Sequence, residues 1–221
     1  MAIALWIKSD DLTKQINDFL NRQRINEYEA FKQNTLSCTK THNKESCKKL
    51  IAMAQSINDG GGTVEDFWLK NHYAGIASRE LKDYTNAIKY FQQACEIGYA
   101  ASCNLLGSMY SNGKETKKDI KKANKYFQLA CDGKDAYGCL NLGTSYYYGE
   151  SIEQSYSQAF KHFQQAKESK IAESHLYFML GIMYLEGQGC RLDKDKALEH
   201  FGIACDMGND TACKNYAIIK Q

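Results

Sequence analysis

The sequence predicts an all-α fold built as a solenoid of helical hairpins, most of them stapled to a neighbour by a cysteine pair. Three observations carry this prediction. A two-part block recurs in register along the chain, the 221 residues contain no proline, and eight of the nine cysteines fall into closely spaced pairs. Proline removes a donor and clashes inside a helix, so its absence leaves long helical stretches unbroken. A fixed period of this length marks a repeat architecture, in which each unit buries its apolar flank only by stacking.

The first part of the block reads Cys103-Asn-Leu-Leu-Gly107-Ser-Met-Tyr110, then Cys139-Leu-Asn-Leu-Gly143-Thr-Ser-Tyr146, then Tyr177-Phe-Met-Leu-Gly181-Ile-Met-Tyr184. The copies stand 36 and then 38 residues apart. The second part is Ala123-Asn-Lys-Tyr-Phe127-Gln-Leu-Ala130-Cys131, with counterparts starting at Ala159 and Ala197 and an earlier copy at Ala87. Ala123, Phe127 and Ala130 fall at i, i+4 and i+7, one stripe of an α-helix. Leu106 and Tyr110 do the same on the preceding helix. A small residue at Gly107, Gly143 and Gly181 lets the two helices of a hairpin approach closely. Gly98, Gly133 and Gly208 follow the second helix, where a left-handed C-cap is expected.

Leu-Gly-x-x-Tyr, a Gly-containing loop, then Lys-Ala-x-x-Tyr-Phe-x-x-Ala-Cys resembles the Sel1-like repeat, a relative of the tetratricopeptide repeat. From Gly107 to Ala123, Gly143 to Ala159 and Gly181 to Ala197 the distance is 16 residues, as in Sel1-like units. From Gly75 to Ala87 it is 12, so the array reads as starting with a tetratricopeptide-like unit. The resemblance covers about residues 64–221 and implies a right-handed α/α superhelical solenoid of about four units. Residues 1–63 then form an N-terminal helical cap carrying the first cysteine pair. The stretch from Cys47 to Thr63, ending in Gly60-Gly61-Gly62, has no place in the repeat frame.

Cys95 and Cys103, Cys131 and Cys139, and Cys205 and Cys213 are each separated by seven residues, and Cys38 and Cys47 by eight. In the repeat frame each pair joins the end of one hairpin to the start of the next. Disulfides are the favoured reading, and structural zinc and buried free thiols are the alternatives. Zinc sites ask for tighter spacing and four convergent ligands, so no metal is expected. Lys167 stands where the next cysteine would be, opposite His175 or Tyr177, which leaves that junction without a staple. Cys190 is unpaired, either a small apolar residue tucked into its loop or a reactive thiol or intermolecular bridge. The cysteine-paired subtype is similar to the Helicobacter cysteine-rich proteins and to a mitochondrial intermembrane-space assembly factor of cytochrome c oxidase. Both resemblances imply an oxidising compartment: the intermembrane space or, with a signal peptide removed, the bacterial periplasm or exterior. The apolar run Ala2–Ile7 is too short for an export signal, which favours the mitochondrial type.

No phosphate loop, dinucleotide fingerprint, zinc-protease or haem motif occurs, so no cofactor and no catalytic residues are expected. The Helicobacter family is classed with the β-lactamases, and Ser37-Cys-Thr-Lys40 and Ser46-Cys-Lys-Lys49 match its Ser-x-x-Lys. The companion motifs are absent, and a composition this rich in lysine yields such matches by chance. Weak β-lactam binding or hydrolysis is therefore the alternative function. His162 and His200 occupy the same repeat position as Tyr126, which marks a structural site. A net charge of +2 argues against nucleic acid as a partner, and no apolar run is long enough to span a membrane. Lys117, Lys118, Lys121, Lys122 and Lys125 form a solvated face or a patch for an acidic partner.

The resemblance also implies that the first helix of each unit lines a concave groove that takes a protein or peptide. The wall then runs from Asn104, Ser108 and Ser111 through Leu140, Thr144 and Tyr147, with Tyr148 nearby, to Phe178, Ile182 and Leu185. It changes from polar to apolar along the array, and its residues either face a partner or pack against the neighbouring hairpin or the C-terminal helix. The expected function is a non-catalytic interaction scaffold or assembly factor.

Overall fold

The structure, a computed structural model, describes residues 26, 29–30, 33–56, 64–169, 171 and 173–221. Among them every regular element is a helix. The chain divides into two compact units, Met1–Tyr90 and Phe91–Gln221, and the division falls within one helix.

In the first unit, α1 is described over 33–41, followed by α2 (Lys44–Ser56) and α3 (Val64–Glu80). Asn43 starts α2: its Oδ1 accepts the backbone N–H groups of Glu45 and Ser46, two of the donors a helix start leaves unpaired. Cys38 of α1 and Cys47 and Leu50 of α2 are fully enclosed together with Ala77 of α3, ringed by Ile51, Met53, Tyr73 and Leu81. The stretch with no place in the repeat frame is thus, as far as Ser56, the body of α2. Its remainder, 57–63, lies outside the described residues, as does the run Ala2–Ile7.

Helix α4 (Tyr84–Glu96) leads into the second unit, which continues with α5 (Ala100–Asn112), α6 (Ile120–Asp132), α7 (Ala136–Tyr148), α8 (Tyr156–Glu168), α9 (Ser174–Glu186), α10 (Lys194–Asp206) and α11 (Asp210–Lys220). From α5 onward each helix packs on the next, and α5 also meets α7, so the hairpins α5–α6, α7–α8 and α9–α10 form a stack. The core follows the repeat. Phe127, Phe163 and Phe201 are buried between flanking pairs of buried alanines, each contributing roughly 1.5–3 kcal/mol of apolar burial. A Cβ at Gly107 would stand 2.5 Å from the Phe127 ring, and at Gly143 and Gly181 it would stand 2.7 Å from Phe163 and Phe201. The glycines are the floor on which the rings lie.

The ends of the helices are also periodic. Asp119, Ser155 and Asp193 each accept the backbone N–H three residues on, at the starts of α6, α8 and α10. Gly113, Gly149 and Gly187 close the first helices with left-handed backbones. After the second helices, Gly98 and Gly208 hold φ of 95° and 85° as expected, but Gly133 does not. Its φ is −78°, and Lys134 takes the left-handed position at 65°. The expectation fails by one residue because Gly133 is the cap itself, and the turn comes at the next position.

Candidate partner-binding surface and stapled junctions

The four cysteine pairs lie at disulfide distance, with Cα–Cα separations of 4.9 Å for Cys38–Cys47 and Cys95–Cys103, 4.5 Å for Cys131–Cys139 and 4.7 Å for Cys205–Cys213. The reason is one of register. Cys47, Cys103, Cys139 and Cys213 are each the fourth residue of their helix, and a short turn returns that position beside the end of the preceding helix. Gly138 fits the α6–α7 turn because Ala130 of the facing helix leaves no room for a Cβ.

The α8–α9 junction is built differently. The fourth residue of α9 is Tyr177, so helix register makes Tyr177, and not His175, the counterpart of the missing cysteine opposite Lys167. Five residues connect α8 to α9, against three at the stapled turns of this unit. Leu176, fully buried, replaces the small residues Ser102, Gly138 and Ala212 of the other junctions. Glu173 gives α9 no side-chain cap, as Tyr99 gives none to α5. Among consecutive helices from α5 onward, α8 and α9 pack most sparsely.

His200 of α10 sits near this junction, 2 % exposed, with neither ring nitrogen hydrogen-bonded. Tyr177 and Tyr184 meet its ring edge-on at 6.0 and 5.4 Å. Burial lowers its pKa to about 4, helped by the positive charges of Lys167 and Lys196 and opposed by Glu199. His162, its counterpart on α8, is also buried and has its pKa lowered by desolvation. Its Nδ1 lies 2.9 Å from Gln165 Oε1 and 3.6 Å from Cys131 Sγ. The two histidines fill equivalent structural positions. Among the described residues no cluster of three or more His, Cys, Asp or Glu could hold a metal.

Along the expected wall, Leu140 is a correction. It is 6 % exposed and belongs to the core. Helices α5 and α7 lie close enough for Asn141 Nδ2 to donate to Asn104 Oδ1 at 3.0 Å, and the residue before Asn141 is enclosed. Thr144 is half-buried, its hydroxyl donating to Leu140 O within the helix. Phe178, Ile182 and Leu185 are half-buried against the Ala197–Phe201–Ala204–Ala212 cluster, which Tyr216 and Ile219 of α11 also cover. The open part of the wall is aromatic. Tyr147 packs edge-on against Tyr148 at 5.0 Å and Tyr156 at 5.2 Å, and Tyr148 is 57 % exposed. Burial and the nearby Glu186 carboxylate push the Tyr147 hydroxyl up from its ordinary pKa.

Cys190 is half-buried, its Sγ directed at Met183 O at 3.4 Å, and burial pushes the thiol up. That is the environment of a tucked-in loop residue and a poor one for a thiolate. Ser46 Oγ donates to Ser37 Oγ at 3.0 Å beside the Cys38–Cys47 pair, while Lys40 and Lys49 are exposed. A cleft of about 430 Å³ that the groove argument did not anticipate is lined by Asp119, Lys121, Lys122, Lys125, Tyr126 and Leu129 on α6.

These features define a helical-repeat protein of the hairpin-stack class, with staples at the turns between hairpins. The Sel1 repeat family model matches residues 72–99, 100–135, 136–170 and 174–209, and the chain belongs to the Sel1 repeat family. The first match takes in the short unit that reads as tetratricopeptide-like. Among solved structures, the chain is similar to c5321, a protective antigen present in uropathogenic Escherichia coli strains and displaying an SLR fold. That likeness has 24% identity and a TM-score of 0.64, covering 74% of this chain and 34% of that one. A Sel1 repeat protein from Oxalobacter formigenes matches with 22% identity and a TM-score of 0.62 over 79% of this chain and 74% of that one. Cysteine-rich protein B of Helicobacter pylori matches at 24% identity over 78% of this chain and 96% of that one, with a TM-score of 0.38. The chain spans about a third of the length of the E. coli antigen. No curated protein matches the chain significantly. The Sel1 stack is an interaction-scaffold fold, and its closely set cysteine pairs suit an oxidising compartment. Among the described residues no helix is long and apolar enough to cross a membrane.

Proposed function

We propose that this chain is a non-catalytic scaffold that holds a protein or peptide partner on the first-helix wall of its second unit, in an oxidising compartment. The observation that carries this reading is the aromatic rim of Tyr147, Tyr148 and Tyr156, bordered by Glu186. It is an amphipathic surface at the C-terminal end of α7, where Tyr148 is exposed while the other residues of the wall are half-buried or buried. Tyrosines supply contact area with little conformational entropy to lose, which is why they are enriched at interaction hot spots. Phe178, Ile182 and Leu185 add the part of their apolar surface that stays exposed, and Thr144 adds a polar edge. An amphipathic helix or extended segment suits such a wall. The finer reading is an assembly factor of the mitochondrial intermembrane space, acting on a respiratory complex such as cytochrome c oxidase. The bacterial periplasm or exterior is the other compartment these disulfides favour.

The test is in-cell photo-crosslinking from a photoreactive residue at Tyr148, with Tyr147→Asp as the disruptive variant. We expect one dominant crosslinked partner, reduced about tenfold or more in Tyr147→Asp while its helical circular dichroism is unchanged. Crosslinking that is diffuse, or indifferent to Tyr147→Asp, overturns the reading. Turnover of a chromogenic cephalosporin by the purified protein, lost in Ser37→Ala or Ser46→Ala, would establish the β-lactamase alternative instead.

A further inference from the structure

The cleft on α6 stands apart from the first-helix wall. It lies along the second helix of its hairpin and is lined by Asp119, Lys121, Lys122, Lys125, Tyr126 and Leu129. The repeat itself provides the control for what the fold requires there. Counted from the N-cap, α6 has Lys121, Lys122, Lys125, Tyr126 and Leu129 where α8 has Ser157, Gln158, Lys161, His162 and Gln165. The same positions of α10 are Asp195, Lys196, Glu199, His200 and Ile203. Helices α8 and α10 form and pack without this basic stripe, so helix formation does not demand three lysines here.

The corresponding position on α8 is also filled differently. His162 and Gln165 close over the Cys131 sulfur at 3.6 Å. On α6, Tyr126 stacks on Tyr110 at 5.8 Å and accepts a hydrogen bond from Gln92 Nε2, and Leu129 is left 52 % exposed. Lys122 is committed: its ammonium donates to the Tyr110 hydroxyl at 2.7 Å and stands over that ring at 4.1 Å. Lys121 and Lys125 are exposed and form no ion pair among the described residues. The result is two uncommitted ammonium groups one helical turn apart, lining a cleft together with an exposed leucine and a braced tyrosine. Asp119 is occupied as the helix cap, accepting the Lys122 N–H.

We propose that this cleft binds an acidic polypeptide segment, seating two carboxylates on Lys121 and Lys125 and one bulky apolar side chain against Leu129 and Tyr126. Charge complementarity selects the acidic segment, and the apolar lining from Leu129 and Tyr126 selects a peptide over a simple anion. A spacing of one helical turn between the lysines suits carboxylates at i and i+4 of a helix or i and i+2 of an extended chain. With two free lysines and a net charge of +2, the patch is too small to hold a nucleic acid backbone by counterion release.

The experiment uses the full, oxidised chain and a library of fluorescent peptides with two Glu or Asp residues and one Leu, Phe or Trp at varied spacing. A matched Gln/Asn library is the control. We expect saturable binding to members of the acidic library only, weakening as salt rises from roughly 50 to 300 mM. Lys121→Glu with Lys125→Glu should weaken it about tenfold or more, and Leu129→Gln several-fold. Lys161→Glu, at the equivalent place on α8, should leave it unchanged, and unaltered circular dichroism shows that each variant is folded. The proposal is overturned if no acidic member binds or if the double charge reversal leaves binding intact. It is also overturned if anionic vesicles or an oligonucleotide displace the peptides as effectively as excess acidic peptide does.

Discussion

At the scale of the residue, the hairpin is decided by one close approach. Leu-Gly-x-x-Tyr reads as a helix contact, because a small residue recurring in a fixed register needs something opposite it. The structure supplies the phenylalanine ring. Because a Cβ on Gly143 would meet the Phe163 ring at 2.7 Å and Ala159 O at 3.3 Å, the helices would have to move apart. We expect Gly143→Ala to destabilise the chain by about 1–3 kcal/mol in urea denaturation, the range for overpacking a core. Gly202 is the internal control. It also lies inside a helix, but the nearest atoms to an added Cβ are on Tyr216 at 3.5 and 3.7 Å. There the better helix propensity of alanine wins, and Gly202→Ala should stabilise by roughly 0.5–1 kcal/mol. Equal effects at the two sites would sink the argument. Leu140 shows where residue-level reading stops. Its type and period mark it as apolar on a first helix, but whether a wall position is open depends on how close the neighbouring hairpin sits, and no residue spacing records that distance.

At the scale of the element, the helices were legible and their junctions only partly so. The i, i+4, i+7 stripes located the second helices, and the cysteine register located three of the turns. Lys134 in place of Gly133 was hidden because a lysine carries no signal for a left-handed backbone. The α8–α9 junction was visible as a missing cysteine, while its consequence, a buried histidine without a hydrogen bond, depends on packing among α8, α9 and α10. His200 gives this junction a pH signature. Its pKa in the fold is about 4, below the ordinary 6.5, so the fold favours the neutral ring. Its contribution is fully present above about pH 6.5 and is lost as the pH falls toward 4, because the unfolded chain takes up the proton first. His72, also lowered to about 4 by burial, and His162 and His175, lowered in the same direction, add to the total slope. The test is therefore a difference. His200→Tyr, the residue that the repeat places at Tyr126, should give a shallower loss of stability between pH 6.5 and 4 than the parent chain. An unchanged slope would show that His200 is not desolvated as the structure has it.

At the scale of the whole molecule, the cysteine pairs decide where the chain can work. Each closes a short loop, with partners 8 or 9 residues apart. In the chain-entropy picture such a loop contributes about 2–3 kcal/mol. A stack of hairpins draws its stability from the interfaces between neighbouring repeats. Four staples at that magnitude together match the roughly 5–15 kcal/mol net stability of a typical domain. The chain should then depend on oxidation for its fold. Alkylation of the native-source protein without reduction should add one label, at Cys190, and add it slowly at neutral pH because burial pushes that thiol up. Full reduction should lower the thermal midpoint by tens of degrees or abolish the cooperative transition, followed by circular dichroism with and without reductant. Nine labels from the native source, with helicity indifferent to reductant, would mean that packing alone carries the stack. The cysteine register would then say nothing about compartment, and the scaffold reading would rest on the Sel1 repeat stack, the Tyr147–Tyr148 rim and the α6 cleft.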